Sequence, residues 1–161
     1  MPRLLIFAAC QKVLLSKEDN TISLISIIQQ ILVGLPEGAP EPPERTAIPM
    51  QWYAFSEWAL DDGGDPSTVY EQQFSVYTAD GEIAAQADMQ EFSLKAGSHR
   101  VYAKFAAFPV WKTGKYSLNL NMRQKGESEW HNFGRYPIEV RYSHADLKLV
   151  DGVVTLQEQA H

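Results

Sequence analysis

The chemistry this chain can offer begins with three short clusters. Asp61, Asp62 and Asp65, with Asp80 further along, are the best metal candidates. Calcium takes about six to eight oxygen ligands, and carboxylate-rich loops can supply them. The spacing lacks the Asp-x-Asp-x-Asp-Gly order of a helix-loop-helix calcium site. A solvated turn uses the same residues, because Asp favours turns and Gly63-Gly64 supplies backbone freedom. Ser143, His144 and Asp146 have the residue types of a nucleophilic site. Catalytic triads, however, are assembled from separated segments, and a polar strand end explains this one. Trp130 and His131 lie in a polar loop. There they would stack on a sugar or grip a partner, as exposed Trp does at binding hot spots, or pack back onto the body.

Other chemistry is thinly represented. There is no Gly-x-Ser-x-Gly elbow, phosphate-cradling Gly-x-x-x-x-Gly-Lys or dinucleotide fingerprint. His99, His131, His144 and His161 show no metal-ligand spacing. Cys10 is the single cysteine, so an internal disulfide and a multi-cysteine zinc site are excluded. Its apolar neighbours predict a buried, inert thiol. No cofactor is expected, with calcium at the acidic turn as the alternative.

The elements that must position these groups occupy 161 residues, a length that fits one domain, 1–161. A hydrophobic fraction of 45% is too high for a disordered chain. A net charge of −6 counts against nucleic acid, which selects a basic surface. No stretch approaches the ~18 apolar residues of a membrane span. Arg3 followed by Leu4 to Ala9 and Cys10 resembles a lipoprotein signal, which would place Cys10 in the envelope. The run of six apolar residues is short of the ~7–15 such a signal uses. A first core strand and a cytoplasmic protein are therefore expected.

Leu4 to Ser16 reads as that strand, and Glu18-Asp19-Asn20 as the turn after it. Thr21 to Leu35 carries conflicting signals. Its isoleucines predict a strand over at least Thr21 to Ile28, paired with the first. A short helix from Leu24 to Val33 is the alternative, because its apolar residues also fit one helical face. Five prolines between Pro36 and Pro49 predict a crossover loop over 36–49.

From Met50 onward the chain alternates with period two. Trp52, Ala54 and Trp58 share one face, and Tyr53 and Phe55 the other. An open Tyr53–Phe55 face would be an apolar patch, to be covered by the crossover loop or by a second copy. Further runs lie at Tyr70–Val76, Ile83–Met89, Phe92–Leu94, His99–Phe105, Tyr116–Met122 and Tyr136–Tyr142, with a break near Gln90. Residues 145–161 would form a small hairpin around Asp151-Gly152 or, preferably, a loosely ordered tail. The whole predicts an all-β fold, an antiparallel β-sandwich of about eight strands.

Leu14-Leu15, Asn20 to Ile25, the proline-rich crossover, Met50-Gln51-Trp52, Thr113 to Leu118 and Tyr136 to Val140 together resemble an uncharacterised family of small bacterial proteins. The resemblance implies a C2-like or immunoglobulin-like sandwich and transfers no activity. The functional expectation is a non-enzymatic binding or assembly module. It would contact a protein partner or itself through Tyr53, Phe55, Trp130 and His131, without nucleic acid or membrane. A carbohydrate- or calcium-binding module, using Trp130, Tyr136 or Asp61–Asp65, is one alternative. A hydrolase with an unrecognised site is the other.

Overall fold

Alternating apolar residues dictate strands wherever one sheet face is buried and the other is not. A computed structural model describes residues 2–16, 18–95, 97–144, 147–150 and 153–156. Among these, the structure is all-β, with no helix. In chain order the strands are β1 (Arg3–Leu15), β2 (Ile22–Ile27), β3 (Gln30–Leu35), β4 (Ala47–Ala59), β5 (Val69–Tyr77) and β6 (Ile83–Gln86). There follow β7 (Gln90–Ser93), β8 (Ser98–Pro109), β9 (Gly114–Gln124), β10 (His131–His144), β11 (Leu147–Val150) and β12 (Val153–Leu156).

Ten of these strands build two sheets. One has the order β2-β1-β4-β8, with every pair antiparallel. The other has the order β3-β10-β9-β5-β6, and β7 also pairs with β5. Two segments explain the excess over about eight. Ile83 to Ser93 divides into β6 and β7, with the break falling just before Gln90. Thr21 to Leu35 divides into β2 and β3, which belong to different sheets.

That division overturns the helical alternative for Leu24 to Val33. Ser26 takes a left-handed backbone, φ 53°, one residue before β2 ends at Ile27, the partner of Cys10. Two residues later the Ile28 amide donates to Ala9 O in the first sheet, at 2.8 Å. The next carbonyl, Gln29 O, accepts from the Glu139 amide in the second sheet, at 2.9 Å. The apolar side chains that fit a helical face instead serve two sheets. β3 then lies parallel to β10, a departure from the fully antiparallel expectation. A strand that arrives by crossing between sheets is free to run in either direction.

The proline-rich connection returns the chain to the first sheet. β4 begins at Ala47, inside the expected 36–49 loop. Pro49 is accommodated where the β4–β8 register shifts, between Pro49 and Trp52. β11 and β12 pair as an antiparallel hairpin, the less favoured expectation for this region. Its Asp151-Gly152 turn lies outside the described residues, as do Asp146, His161 and the remainder of the expected tail.

Both sheets contribute to one core. Trp52, Ala54 and Trp58 of β4 meet Phe74 and Val76 of β5, Leu118 and Leu120 of β9 and Ile138 of β10. The Trp58 ring stacks on Phe92 and meets Phe133 edge-on. Phe7 lies so close to β10 that a Cβ at position 134 would come within 2.6 Å of its ring. Gly134 stands there, at a register shift between β9 and β10.

A buried polar bridge crosses this interior. Trp58 Nε1 donates to Gln72 Oε1 at 2.6 Å, and Ser56 Oγ donates to the same oxygen at 3.0 Å. All three residues are fully buried. One amide oxygen on β5 therefore satisfies two donors on β4, linking the sheets by direction as well as by contact. Leaving a buried donor unpaired costs about 1–3 kcal/mol. Gln72→Leu removes the shared acceptor and leaves Trp58 Nε1 only its longer bond to Ser56 Oγ, 3.2 Å, so it is expected to lower stability by roughly 1–3 kcal/mol in urea unfolding. The triple variant Ser56→Ala, Trp58→Phe, Gln72→Leu removes the donors too. It should lose less than the sum of the three single changes, a difference measurable in the same assay.

Candidate functional site

The face of the first sheet that points away from the core holds the Tyr53–Phe55 pair. In register, Ala8 of β1, Phe55 of β4 and Tyr102 of β8 form one row across it. Ile27 of β2, Cys10 of β1, Tyr53 and Lys104 form the next. Phe55, Ala8 and Cys10 are buried, although none belongs to the core between the sheets. Phe55 is therefore not part of any open surface in this chain. Tyr53 is half-buried, with its ring edge toward Tyr102 and its hydroxyl accepting from Gln51 Nε2.

A turn reaches this face from the far end of the β1–β2 hairpin. Asn20 Oδ1 accepts from Arg100 Nη1 at 3.1 Å, while Arg100 Nε pairs with Glu57 at 3.0 Å. Arg100 and Glu57 stand in the row of Ile6, which precedes Cys10 along β1. To touch them, the hairpin must curl back over the outer face after Cys10. The expected cover for Phe55 was the crossover loop or a second copy, but the chain's own hairpin turn is anchored here instead. The crossover loop packs elsewhere, with Thr46 O accepting from the Val110 amide and Arg45 over the Trp111 ring.

Beside this curl three large hydrophobic side chains stay exposed, with Lys12 and Lys104 among them. Ile25 is 41% exposed, Ile27 46% and Tyr102 46%. The edge strands are also informative. An edge presents unpaired backbone donors and acceptors, and proteins guard such edges with charge, proline or brevity. β8 carries Arg100, Lys104 and Pro109, while β6 and β7 are only four residues each. β2 and β3 have no such guard, because Thr21 to Leu35 contains no charged residue at all.

The remaining expected residues stay apart. The Trp130 ring is half-buried with the Arg123 guanidinium 4.5 Å from its centroid, and Arg123 pairs in turn with the buried Glu71. Trp130 thus packs back on the body. His131, at the start of β10, lines a small 180 Å³ pocket with Tyr70, Arg123 and Phe133. Tyr136 packs edge-on against Phe7 on the core side.

The acidic turn is held by its own backbone. Asp65 accepts from the Ser67 amide and hydroxyl, which holds its carboxyl below the usual range, and Asp61 O accepts from the Gly64 amide. Asp80 pairs with Lys112 at 2.7 Å. Among the described residues, no group of three or more His, Cys, Asp or Glu side chains gathers where a metal could sit. Ser143 and His144 end β10.

Cys10 sits mid-strand, paired on both sides. Cleavage before it would remove every β1 residue that pairs with β4 except Cys10 itself. No helix among the described residues is long and apolar enough to cross a membrane. A comparison with protein-family models and with curated proteins finds no match for the chain.

Sequence reasoning overlooked the charge-free stretch as a functional signal. The signal was present, but only the sheet order reveals that both of its strands are edges.

Two measurements check this arrangement. Burial pushes the Cys10 thiol up, so it should resist a thiol reagent in the folded protein and react fully in denaturant. The Asp19 carboxyl is lowered from 3.8 to about 2 by the Ser16 hydroxyl and then by the Thr21 hydroxyl and amide. Its hold on the turn is therefore complete above the ordinary value and is lost as pH falls toward about 2. Amide protection of Ile22 to Ile27, normalised to β9, should fall over that window. Asp19→Ala should abolish the pH dependence.

Proposed function

We propose that this protein is a non-enzymatic assembly module that joins a second copy of itself through the edge at β2. The observation that carries this reading is an unguarded edge strand flanked by exposed Ile25, Ile27 and Tyr102. The chain carries a net charge of −6, so two copies repel overall. Thr21 to Leu35 offers an approach with no charge to meet its like. Pairing β2 with its counterpart satisfies the free backbone groups and continues the sheet, and the neighbouring apolar side chains leave water together.

The two-sheet arrangement fits a sandwich of C2-like or immunoglobulin-like layout, in keeping with the resemblance to small uncharacterised bacterial proteins. In such scaffolds a rigid core holds an edge or a loop set in place for binding. On this reading the molecule is cytoplasmic and engages neither nucleic acid nor membrane.

A single-edge contact of this size is weak, with a dissociation constant on the order of 10 µM, about −7 kcal/mol. Light scattering over a concentration series should show a monomer–dimer equilibrium in that range. Ile25→Lys places a charge on the edge and should weaken it at least ~10-fold, about 1.4 kcal/mol, with the thermal midpoint unchanged. Ile83→Lys, on exposed β6, should leave it intact. A strict monomer at ten-fold higher concentration defeats the proposal, as does equal sensitivity to both changes. Pairing of β2 with a different protein is the outcome that would redirect it.

A further inference from the structure

The outer face of the second sheet differs from that of the first, because it is polar and holds an open groove of about 760 Å³. Three antiparallel strands pave it in two rows. Tyr77 of β5, Ser117 of β9 and Pro137 of β10 are register partners, and so are Ser75, Asn119 and Arg135. Lys115 extends the first of these faces along β9, and the turn Thr78 to Gly81 walls one end. Each row spans two strand spacings, about 10 Å.

Thr78 and Tyr116 at the end of the groove bond within the chain. Its two cations, Lys115 and Arg135, have no ion-pair partner among the described residues. The acidic groups around them are already engaged. Glu139, opposite Lys115 in register, pairs with Arg141 at 2.9 Å, and Asp80 pairs with Lys112. Asn119 lines the groove at only 8% exposure, yet its Oδ1 has no hydrogen-bond partner among the described residues. Among the described residues the Asn119 side chain makes no hydrogen bond, so its amide is not committed elsewhere in the chain. By contrast, neighbouring Ser75 and Gln73 are both satisfied by Gln86 Nε2.

We propose that this groove binds a hydroxylated anion, a sugar carrying a carboxylate or a phosphate. Arg135 and Lys115 meet the charged group, and the guanidinium suits either anion because its donors form a planar fork. Ser117 and the Asn119 amide provide both donors and acceptors for ring hydroxyls. Tyr77 and Pro137 flank Ser117 and supply apolar surfaces for the carbon face of the ring. The volume lies within the range of small-molecule sites, and the open shape suits a ligand that projects further into solvent. This site is on the opposite sheet from β2 and does not rest on self-assembly.

The test is a two-dimensional NMR titration of the full chain with four probes: glucuronate, glucose 6-phosphate, neutral glucose and inorganic phosphate. Either acidic sugar should shift the amides of Tyr77, Lys115, Ser117, Asn119 and Arg135, with a dissociation constant near or below about 1 mM. Which of the two binds more tightly distinguishes carboxylate from phosphate as the anion. Neutral glucose and inorganic phosphate should each bind at least ~10-fold more weakly. Arg135→Gln and Lys115→Gln are changes of exposed residues, and each should weaken acidic-sugar binding by ~10-fold. No shift with either acidic sugar at about 10 mM overturns the proposal. So does binding of inorganic phosphate or glucose as tight as that of the acidic sugars, and so does indifference to both substitutions.

Discussion

The arrangement of this protein depends on one oxygen atom. Gln72 Oε1 lies fully buried between the sheets and accepts from both Trp58 and Ser56. Apolar contact alone is tolerant of sliding, since one aliphatic side chain substitutes for another at little cost. A hydrogen bond in a dry interior is not tolerant, because displacement leaves both partners unpaired. This bridge sets the position of β4 against β5, and those strands carry Trp52, Trp58 and Phe74 of the core. The tight approach of Phe7 to Gly134 does the same for β1 against β10.

A second constraint follows from the segment between Thr21 and Leu35. It has to leave one sheet and enter the other within a few residues. Ser26 breaks the extended backbone, and the amide of Ile28 and carbonyl of Gln29 bond to different sheets. Both strands it forms then lie at sheet edges. Charge would protect those edges, and the segment has none. The hairpin that begins the segment curls over the outside and is tied down by Asn20, Arg100 and Glu57. Phe55 is buried on the same outer face, while Ile25, Ile27 and Tyr102 stay exposed.

The two outer faces consequently have different characters. On the first sheet, aromatic and aliphatic residues remain where the curl stops. On the second, serine, asparagine and tyrosine lie beside Lys115 and Arg135, which form no ion pair among the described residues. Trp130 and the acidic turn, the more conspicuous features of the sequence, are occupied by their own neighbours. Arg123 covers the tryptophan, and Ser67 and Gly64 engage the aspartates.

Much of the architecture was determined by local pattern. Period-two alternation marked β4, β5, β8, β9 and β10, because successive side chains of a strand point to opposite faces and only one of those faces meets the core. Turn chemistry marked Asn20, which takes φ 56°, and the reversed parity of Phe92 and Leu94 marked the break before Gln90. The lone cysteine was legible as a buried strand residue from its apolar neighbours. What local pattern could not decide were the pairings between distant segments. The division of Thr21 to Leu35, the parallel alignment of β3 with β10 and the anchoring of the Asn20 turn on Arg100 all depend on which strand lies beside which. The groove has the same origin, since Tyr77, Ser117 and Arg135 become neighbours only through register. Sequence alternation specifies which residues face together along one strand, but long-range hydrogen bonding chooses the strand across from it.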